Sequence, residues 1–227
     1  MEYGIPGLFR LGDFCVLGNK SVAKKLVMIR HGALDIKYQG CFVGKTDVGL
    51  SATGRKQAAA ITGPIGNLGA VHVITSPLRR TLETVGIALE PLDQSFDVVS
   101  GLREIDFGFW EGKTFAEISM ADSSAVEHWS NFDPDFVFPG GEAMASFVKR
   151  VRDLAQRISS DPAETVVAVT HGGIIRFLIC HYLGLDLRHY LLFDIQHASL
   201  STLNLYDQKG VLTRLNDLCH LEGHDCG

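Results

Sequence analysis

Three short apolar runs, each ending in residues that can carry chemistry, most constrain the fold of this 227-residue chain. The runs lie at residues 25–29, 71–75 and 165–170. Their length is typical of buried strands. Each is followed by a segment with helical character, at 51–68, 78–89 and 174–183. Strands that alternate with helices favour an α/β fold, with a mostly parallel sheet covered on both faces.

The clearest helical pattern is at residues 142–159. Its apolar residues recur at spacings of four, three and four, at Phe147, Val151, Leu154 and Ile158. This spacing places them on one face of a helix, and Pro162 is expected to stop the helix.

The sequence near the end of the chain predicts a pair of antiparallel strands. Residues 200–206 alternate apolar and polar side chains, and residues 211–215 form a second short run. Together they predict a hairpin around Gln208-Lys209-Gly210. The expected architecture is therefore a three-layer αβα sandwich, a mostly parallel sheet with an antiparallel edge strand.

The residues that follow the three strands indicate where a ligand would bind. In open α/β sheets, ligands bind beyond the carboxyl ends of the strands. Those ends carry Arg30-His31-Gly32, Ser76-Pro77-Leu78-Arg79-Arg80 and His171-Gly172-Gly173. We expect the fold to bring these three stretches together.

Charge and hydropathy argue against several classes of partner. The net charge of −5 is spread along the chain and leaves no basic surface for nucleic acid. No apolar stretch reaches the ~18 residues that span a bilayer, and the first residues lack the pattern of a signal peptide. The five cysteines are scattered and fit a reducing cytoplasm. We therefore expect a cytoplasmic protein without a nucleic-acid or membrane partner.

The end of the chain contains several residues of the types that bind metals. Cys219, His220, His224 and Cys226 lie there, but a frayed terminus is the simpler interpretation. The chain has neither an H-E-x-x-H motif nor a Walker-type loop. We expect no metal and no cofactor.

The residues at the strand ends suit phosphoryl transfer. A phosphoryl group in transit spreads negative charge over three oxygens, so its catalyst mainly needs positioned positive charge. Arginine offers a planar fork that stays protonated, and a neutral histidine can attack phosphorus as a nucleophile. The leaving oxygen then needs a proton, which a carboxylic acid can donate.

Five ordered blocks resemble the histidine phosphatase superfamily, in the branch that includes cofactor-dependent phosphoglycerate mutase. The resemblance spans roughly residues 25–206 and is specific because the blocks occur together and in order. They are Arg30-His31-Gly32, Ser76-Pro77-Leu78-Arg79-Arg80 with Thr84, residues 102–112, Pro139-Gly140-Gly141-Glu142, and residues 169–173.

The resemblance implies a role for each matching residue. His31 is implied as the nucleophile. Arg30, Arg80 (rather than Arg79) and His171 are implied as the phosphate clamp, aided by the Gly172 N–H. Glu104 is implied as the proton donor, although spacing alone leaves Asp106 and Glu111 as alternatives. Gly44, Lys45 and Thr46 are candidates for lining the substrate pocket, with a loop-surface role about equally expected.

Departures from the mutase pattern bear on the substrate. Leu34 and Lys37 stand where mutases usually carry polar, substrate-contacting residues, and residues 107–112 look like the phosphatase side of the branch. Residues 44–50, and Trp129 with Asp133-Pro134, look most like α-ribazole phosphatases of cobalamin synthesis. Fructose-2,6-bisphosphatase-like, broad-specificity sugar phosphatase and mutase activities remain alternatives. So does a non-catalytic module that binds phosphate groups.

The chain is expected to form one domain at residues 25–217, between an N-terminal extension at 1–24 and a C-terminal tail at 218–227. The expected partner is a small phosphorylated metabolite, and a homodimer is possible. Trp110 is expected to pack rather than to contact substrate. His197 has no role that its spacing assigns.

Overall fold

The computed structural model describes residues 24–207 and 209–222. The first 23 residues of the predicted N-terminal extension, with Cys15, lie outside the described residues. So do Gln208 of the predicted hairpin turn and the end of the tail, with His224 and Cys226. Within the described residues, no group of three or more ligating side chains is placed to hold a metal ion.

A six-stranded mixed sheet forms the centre of the molecule, in the order β3-β2-β4-β1-β5-β6. The first four strands in that order pair in parallel, and β5 and β6 continue the sheet as antiparallel strands. The predicted fold class is confirmed, with two antiparallel strands at one side. The strands are β1 Lys24–Arg30, β2 His72–Thr75, β3 Asp97–Val98, β4 Thr165–Thr170, β5 Leu200–Tyr206 and β6 Lys209–Asp217.

Seven α-helices of the described chain pack with this sheet. They are α1 Ala52–Ala60, α2 Thr62–Gly66, α3 Arg79–Leu89, α4 Phe115–Ala121, α5 Ser123–Ser130, α6 Met144–Ser159 and α7 Gly172–Leu183. The predicted helix at 51–68 is divided into α1 and α2. Pro64 has no N–H to donate to the carbonyl of Ala60, which explains the end of α1 there.

The central strands supply two hydrophobic cores, one on each face of the sheet. Leu26 and Met28 belong to the larger core, whereas Val27 and Ile29 belong to the smaller one. This division follows from the alternation of side chains along a strand. Helices α6 and α7 pack on the larger core, and α1 and α3 cover the smaller one. The sandwich therefore has the three predicted layers.

An aromatic cluster supports the long connection between β3 and β4. Trp110 is 4% exposed, and its ring lies 5.2 Å from that of Phe138 and 5.8 Å from that of Trp129. The ring of Phe42 lies 5.4 Å from Trp129. These edge-to-face contacts stabilise the segment that carries Glu104. Trp110 packs, as predicted.

The Pro139-Gly140-Gly141-Glu142 block also supports the Glu104 segment. A Cβ at Gly141 would lie 2.3 Å from the Asp106 carbonyl oxygen, so only glycine permits this approach. Glu142 forms a 2.8 Å ion pair with Arg150, and its backbone N–H donates to the Asp106 carbonyl. We infer a structural role for this block.

No helix among the described residues is both long and apolar enough to cross a membrane.

His72 connects two carboxylates at the amino ends of the strands, and we predict a pH-dependent contribution to stability. Its Nδ1 lies 2.6 Å from Asp161 and its Nε2 lies 3.1 Å from Asp97. Burial opposes the charged ring, but the hydrogen bonds to Asp161 and Asp97 outweigh it and raise the pKa of His72.

His72→Gln should therefore lower the free energy of unfolding by about 1 kcal/mol below the unfolded-state pKa of about 6.5. The difference should shrink as the pH rises through the higher folded-state pKa, because the ring then loses its charge. The midpoints of urea unfolding of wild type and His72→Gln, measured at about pH 5.5 and about pH 9, give this difference in stability. An equal loss at both pH values would contradict this explanation.

Candidate active site

The carboxyl ends of three parallel strands meet, as predicted. Arg30 is the last residue of β1 and lies opposite Thr170 of β4 in the sheet register. His31 and His171 directly follow these neighbouring strands, and their ring centroids are 5.3 Å apart. Ser76 follows β2, the other neighbour of β4, and its Oγ lies 2.8 Å from Nε2 of His171.

The contacts of His31 indicate which ring nitrogen can react. Nδ1 lies 2.8 Å from the Gly32 carbonyl oxygen. A carbonyl oxygen only accepts, so Nδ1 carries the proton. Burial, followed by the charge of Arg80, lowers the pKa of His31 well below its usual value. The ring is therefore neutral, and Nε2 keeps its lone pair.

Arg30 supplies positive charge at the cavity wall. Its Nη1 donates to the Ile195 carbonyl at 2.6 Å, and its Nη2 donates to Nε2 of His197 at 3.0 Å. Its buried Nε has no hydrogen-bond partner within the described residues. Burial lowers the pKa of Arg30 to about 10, so the side chain stays protonated at neutral pH.

The N-terminus of α7 adjoins this free donor. His171 precedes the helix, and no side chain caps it. A Cβ at Gly172 would lie 3.7 Å from Arg30 Nε, so the glycine backbone and the guanidinium are neighbours. The N–H groups at a helix N-terminus and the positive end of its dipole favour an anion. Arg30 and Gly172 together form the candidate phosphate site.

Glu104 is the one of the three candidate carboxylates that lines the cavity with His31. Its Oε2 accepts a 2.9 Å hydrogen bond from the Gly173 N–H. Asp106 accepts from the Gly108 N–H and from Lys45 Nζ, and Glu111 binds a neighbouring loop. The geometry therefore favours Glu104 among the three alternatives.

Arg80 and His171 form a buried layer that is not part of the cavity wall. Both are 0% exposed, and Arg80 Nε donates to Nδ1 of His171 at 3.2 Å. His171 must then carry its proton on Nε2, which donates to Ser76 Oγ. Burial, followed by the charge of Arg80, lowers the pKa of His171 well below its usual value. Direct contact of these two residues with phosphate stays a prediction.

The Ser76–Thr84 block organises both histidine segments. Arg80 and Ser76 form hydrogen bonds with the two ring nitrogens of His171, Nδ1 and Nε2 respectively. One helical turn after Arg80, the hydroxyl of Thr84 accepts the N–H of Gly32 at 3.1 Å. Gly32 itself must be glycine, since a Cβ there would lie 2.4 Å from the Gly54 carbonyl oxygen. This block therefore determines where His31 and His171 lie.

Gly44, Lys45 and Thr46 form a loop whose backbone contacts other parts of the protein. Their backbone N–H groups all donate to the carboxylate of Glu111. The carbonyls of Gly44 and Thr46 accept from Arg80. This loop is occupied by protein contacts, whereas the residues just before it, 41–43, line the cavity. The loop therefore helps to hold Arg80, and its contact with substrate stays a prediction.

Several cavity residues were not predicted from the sequence. His197 is one, and its ring centroid lies 5.2 Å from that of His31. Arg176 and Tyr190 are two others. No spacing in the sequence signals His197, since it reaches the site through the antiparallel pairing of β5 with β1, which places the start of β5 beside the end of β1.

The cavity has a volume of about 680 Å³ and a chemically mixed lining. Its ionisable lining residues include His31, Arg30, Glu104, Arg176 and His197. Its apolar and aromatic lining residues include Leu34, Ile36, Tyr38, Phe42, Phe115 and Trp129. A volume of this size can hold a small metabolite.

A family model described as histidine phosphatase superfamily (branch 1) matches residues 26–218. The chain belongs to this superfamily. It is a phosphatase, since its relatives are named as phosphatases and the match covers most of the chain. The resemblance inferred from the five sequence blocks is thereby confirmed.

Individual relatives differ in the substrate that their names state. Phosphoserine phosphatase 1 of Hydrogenobacter thermophilus is 30% identical over 201 residues, covering 87% of this chain and 94% of the relative. Glucosyl-3-phosphoglycerate phosphatase of Mycobacterium tuberculosis is 32% identical over 177 residues, covering 74% and 79%. The structure of the α-ribazole phosphatase of Shigella flexneri superposes with a TM-score of 0.76 at 23% identity, covering 85% and 96%. That identity supports the shared fold alone.

The contact between Gly173 and Glu104 generates a prediction. A Cβ at Gly173 would lie 2.3 Å from Glu104 Oε1, so Gly173→Ala should displace the carboxylate. We expect kcat to fall roughly tenfold or more for esters with poor leaving groups, which depend most on proton donation. Activity on p-nitrophenyl phosphate should fall less.

Gly86→Ala is the matched control, because a Cβ at that helical position meets nothing within 4 Å. It should raise stability by roughly 0.5–1 kcal/mol and leave the kinetics unchanged. If both substitutions leave the leaving-group dependence of kcat unchanged, Gly173 does not position Glu104.

Proposed function

We propose that this phosphatase is a metal-independent phosphomonoesterase that acts through a phosphohistidine on His31. The observation that carries the proposal is the hydrogen bond from His31 Nδ1 to the Gly32 carbonyl oxygen. It leaves a neutral Nε2 as the nucleophile in a cavity that Arg30 also lines. The same bond supports the positive ring that forms when Nε2 binds phosphorus.

In the proposed first step, Arg30 Nε and the Gly172 N–H bind the phosphate. Nε2 of His31 attacks phosphorus in line, the N–P bond forms and the ester P–O bond breaks. Protonated Glu104 donates its proton to the leaving oxygen. The buried charge of Arg80 adds to the positive potential on the phosphoryl oxygens.

In the second step, water attacks the phosphorus of phospho-His31 while Glu104 accepts its proton. The N–P bond breaks, inorganic phosphate leaves and His31 returns to its neutral form. The protein supplies both the nucleophile and the positive charge in this scheme, so no step requires a metal. A module that only recognised phosphate would need the arginine but neither this nucleophile nor Glu104.

His31→Ala tests the nucleophile. We expect kcat for p-nitrophenyl phosphate to fall by about four orders of magnitude or more, because the covalent route is lost. Wild-type activity should survive EDTA. A ³²P-labelled substrate should label the wild type with an acid-labile, alkali-stable bond and should leave His31→Ala unlabelled.

His128→Ala is the matched control, since His128 lies on the surface and pairs with Asp133. It should keep full activity and labelling. Activity of His31→Ala within tenfold of wild type, or loss of wild-type activity in EDTA, would refute the proposed mechanism.

For the substrate, we propose α-ribazole 5′-phosphate of cobalamin synthesis as the first candidate. The aromatic part of the cavity lining supports it, since Phe42, Phe115 and Trp129 line the same cavity as Arg30 and His31. A phosphate group bound near Arg30 would leave a planar, apolar base to pack on these rings. The sequence resemblance of residues 44–50 and of the Trp129 segment supports the same candidate.

A phosphoester that also carries a carboxylate is the second candidate, and Arg176 favours it. Arg176 Nε donates to the Phe193 carbonyl at 2.8 Å. Its terminal nitrogens make no hydrogen bond within the part of the chain that the structure describes. Arg176 also lines the cavity. Arg176 lies one helical turn after Gly172, so it could bind an acidic group close to the phosphate. Phosphoserine is an example of a phosphoester that also carries a carboxylate.

A substrate panel separates the two candidates. It comprises α-ribazole 5′-phosphate, phosphoserine, glucosyl-3-phosphoglycerate and fructose 2,6-bisphosphate. We expect the highest kcat/KM for α-ribazole 5′-phosphate, lowered about tenfold by Trp129→Leu through lost stacking. If a carboxylate-bearing ester is preferred instead, and Arg176→Met removes that preference relative to p-nitrophenyl phosphate, the second candidate replaces the first.

A further inference from the structure

The segment before β5 encloses Arg30 on several sides. The backbone N–H of Arg30 donates to the Ser199 carbonyl at 3.2 Å, and the Ala198 N–H lies 3.1 Å from the Arg30 carbonyl oxygen. The guanidinium donates to the Ile195 carbonyl and to the His197 ring. Backbone and side chain of Arg30 are therefore both held by residues 195–199.

This arrangement requires an unusual backbone at Ala198. Its φ is +59°, in the left-handed region that residues other than glycine seldom adopt. Ala198 is also 0% exposed, and its N–H faces the carbonyls of both Arg30 and His31 at 3.1 Å. Strain of this kind persists where surrounding contacts over-determine the conformation, often at functional sites.

The chemistry of the guanidinium group determines the direction of the Arg30–His197 hydrogen bond. A guanidinium only donates, so Nε2 of His197 accepts and the neutral ring carries its proton on Nδ1. Burial, followed by the charges of Arg30 and Arg80, lowers the pKa of His197 to about 3. The acceptor is therefore present throughout the neutral range.

Two of the three guanidinium nitrogens of Arg30 are thus held by protein acceptors, and the third is not. The buried Nε has no partner within the described residues and adjoins Gly172 at the start of α7. An unfixed arginine would lose rotamer freedom on binding an anion. Because hydrogen bonds hold Nη1 and Nη2 before an anion binds, part of this entropy cost is removed. The remaining N–H donors of the guanidinium are also oriented in advance.

We propose that His197 is a positioning residue, a neutral hydrogen-bond acceptor that orients the Arg30 guanidinium toward the substrate phosphate. This rests on the proposed function in one respect, namely that phosphate binds beside Arg30. His197 acts through Arg30 and takes no part in the bond-making steps.

His197→Ala and His197→Gln form the test pair. Alanine removes the acceptor, whereas the glutamine Oε1 reaches the position of His197 Nε2 and can still accept from Arg30 Nη2. We expect His197→Ala to raise the inhibition constants of inorganic phosphate and orthovanadate about tenfold, with a larger effect on KM than on kcat. His197→Gln should restore both constants to within about threefold of wild type.

Ser201→Ala is the matched control. Ser201 is buried in β5, and its hydroxyl accepts the N–H of Asn216 rather than contacting the cavity. It should lower stability somewhat without changing phosphate inhibition. The midpoint of thermal unfolding, measured for all three variants, separates loss of fold from loss of orientation.

A second measurement determines directly which nitrogen of the His197 ring carries the proton. In ¹⁵N-labelled wild type, long-range ¹H–¹⁵N correlation spectra should show His197 neutral at about pH 7, with the proton on Nδ1. A proton on Nε2 would contradict the proposal. Unchanged phosphate inhibition in His197→Ala would also contradict it. So would equal losses in the alanine and glutamine variants at unchanged thermal stability.

Failure of the proposed mechanism can be distinguished from failure of this inference. Calorimetric titration of inorganic phosphate into His31→Ala measures binding without turnover. Adding His197→Ala to that background should weaken phosphate binding about tenfold, whether or not wild type forms a phosphoenzyme. Equal binding with and without His197 would overturn the positioning role alone.

Discussion

The parallel pairing of β1 with β4 is the constraint on which the rest of the site depends. It aligns Arg30 with Thr170 in the sheet register, so the two residues that follow, His31 and His171, emerge side by side. Hydrogen bonds along the ladder are made by the backbone and do not depend on the chemistry of the site. The apolar cores on both faces of the sheet stabilise this pairing. The site is therefore placed by the most buried part of the fold.

Electrostatics explains why two histidines can stay neutral beside two arginines. Burial and the nearby guanidinium charges lower the pKa values of His31 and His171 well below the usual value. Burial lowers the pKa of Arg80 in turn, and backbone carbonyls around it accept its hydrogen bonds. The result is a concentrated positive potential in a protein whose overall charge is −5. An anion is the complementary ligand for such a site.

Much of this arrangement was accessible from sequence patterns. Short apolar runs followed by helical segments predicted the sheet, and the rule that ligands bind at the carboxyl ends of strands predicted the meeting of three strand ends. The predictions were least complete where local propensity and long-range contacts compete. Pro64 divided one predicted helix, and Glu111 accepts hydrogen bonds from the backbone amides of residues 44–46, whose contact with substrate stays a prediction.

By itself the sequence determined the fold class, through apolar runs that alternate with helical segments, and the family, through five ordered sequence blocks. It also made His31, Arg30 and His171 candidates, because they lie at strand ends. Only the tertiary structure shows that Glu104, and neither Asp106 nor Glu111, lines the cavity, since the direction of each carboxylate depends on loop contacts with distant residues. It also brought His197 to Arg30 from 167 positions along the chain. Spacing carries no signal for such a contact, because antiparallel pairing of β5 with β1 creates it.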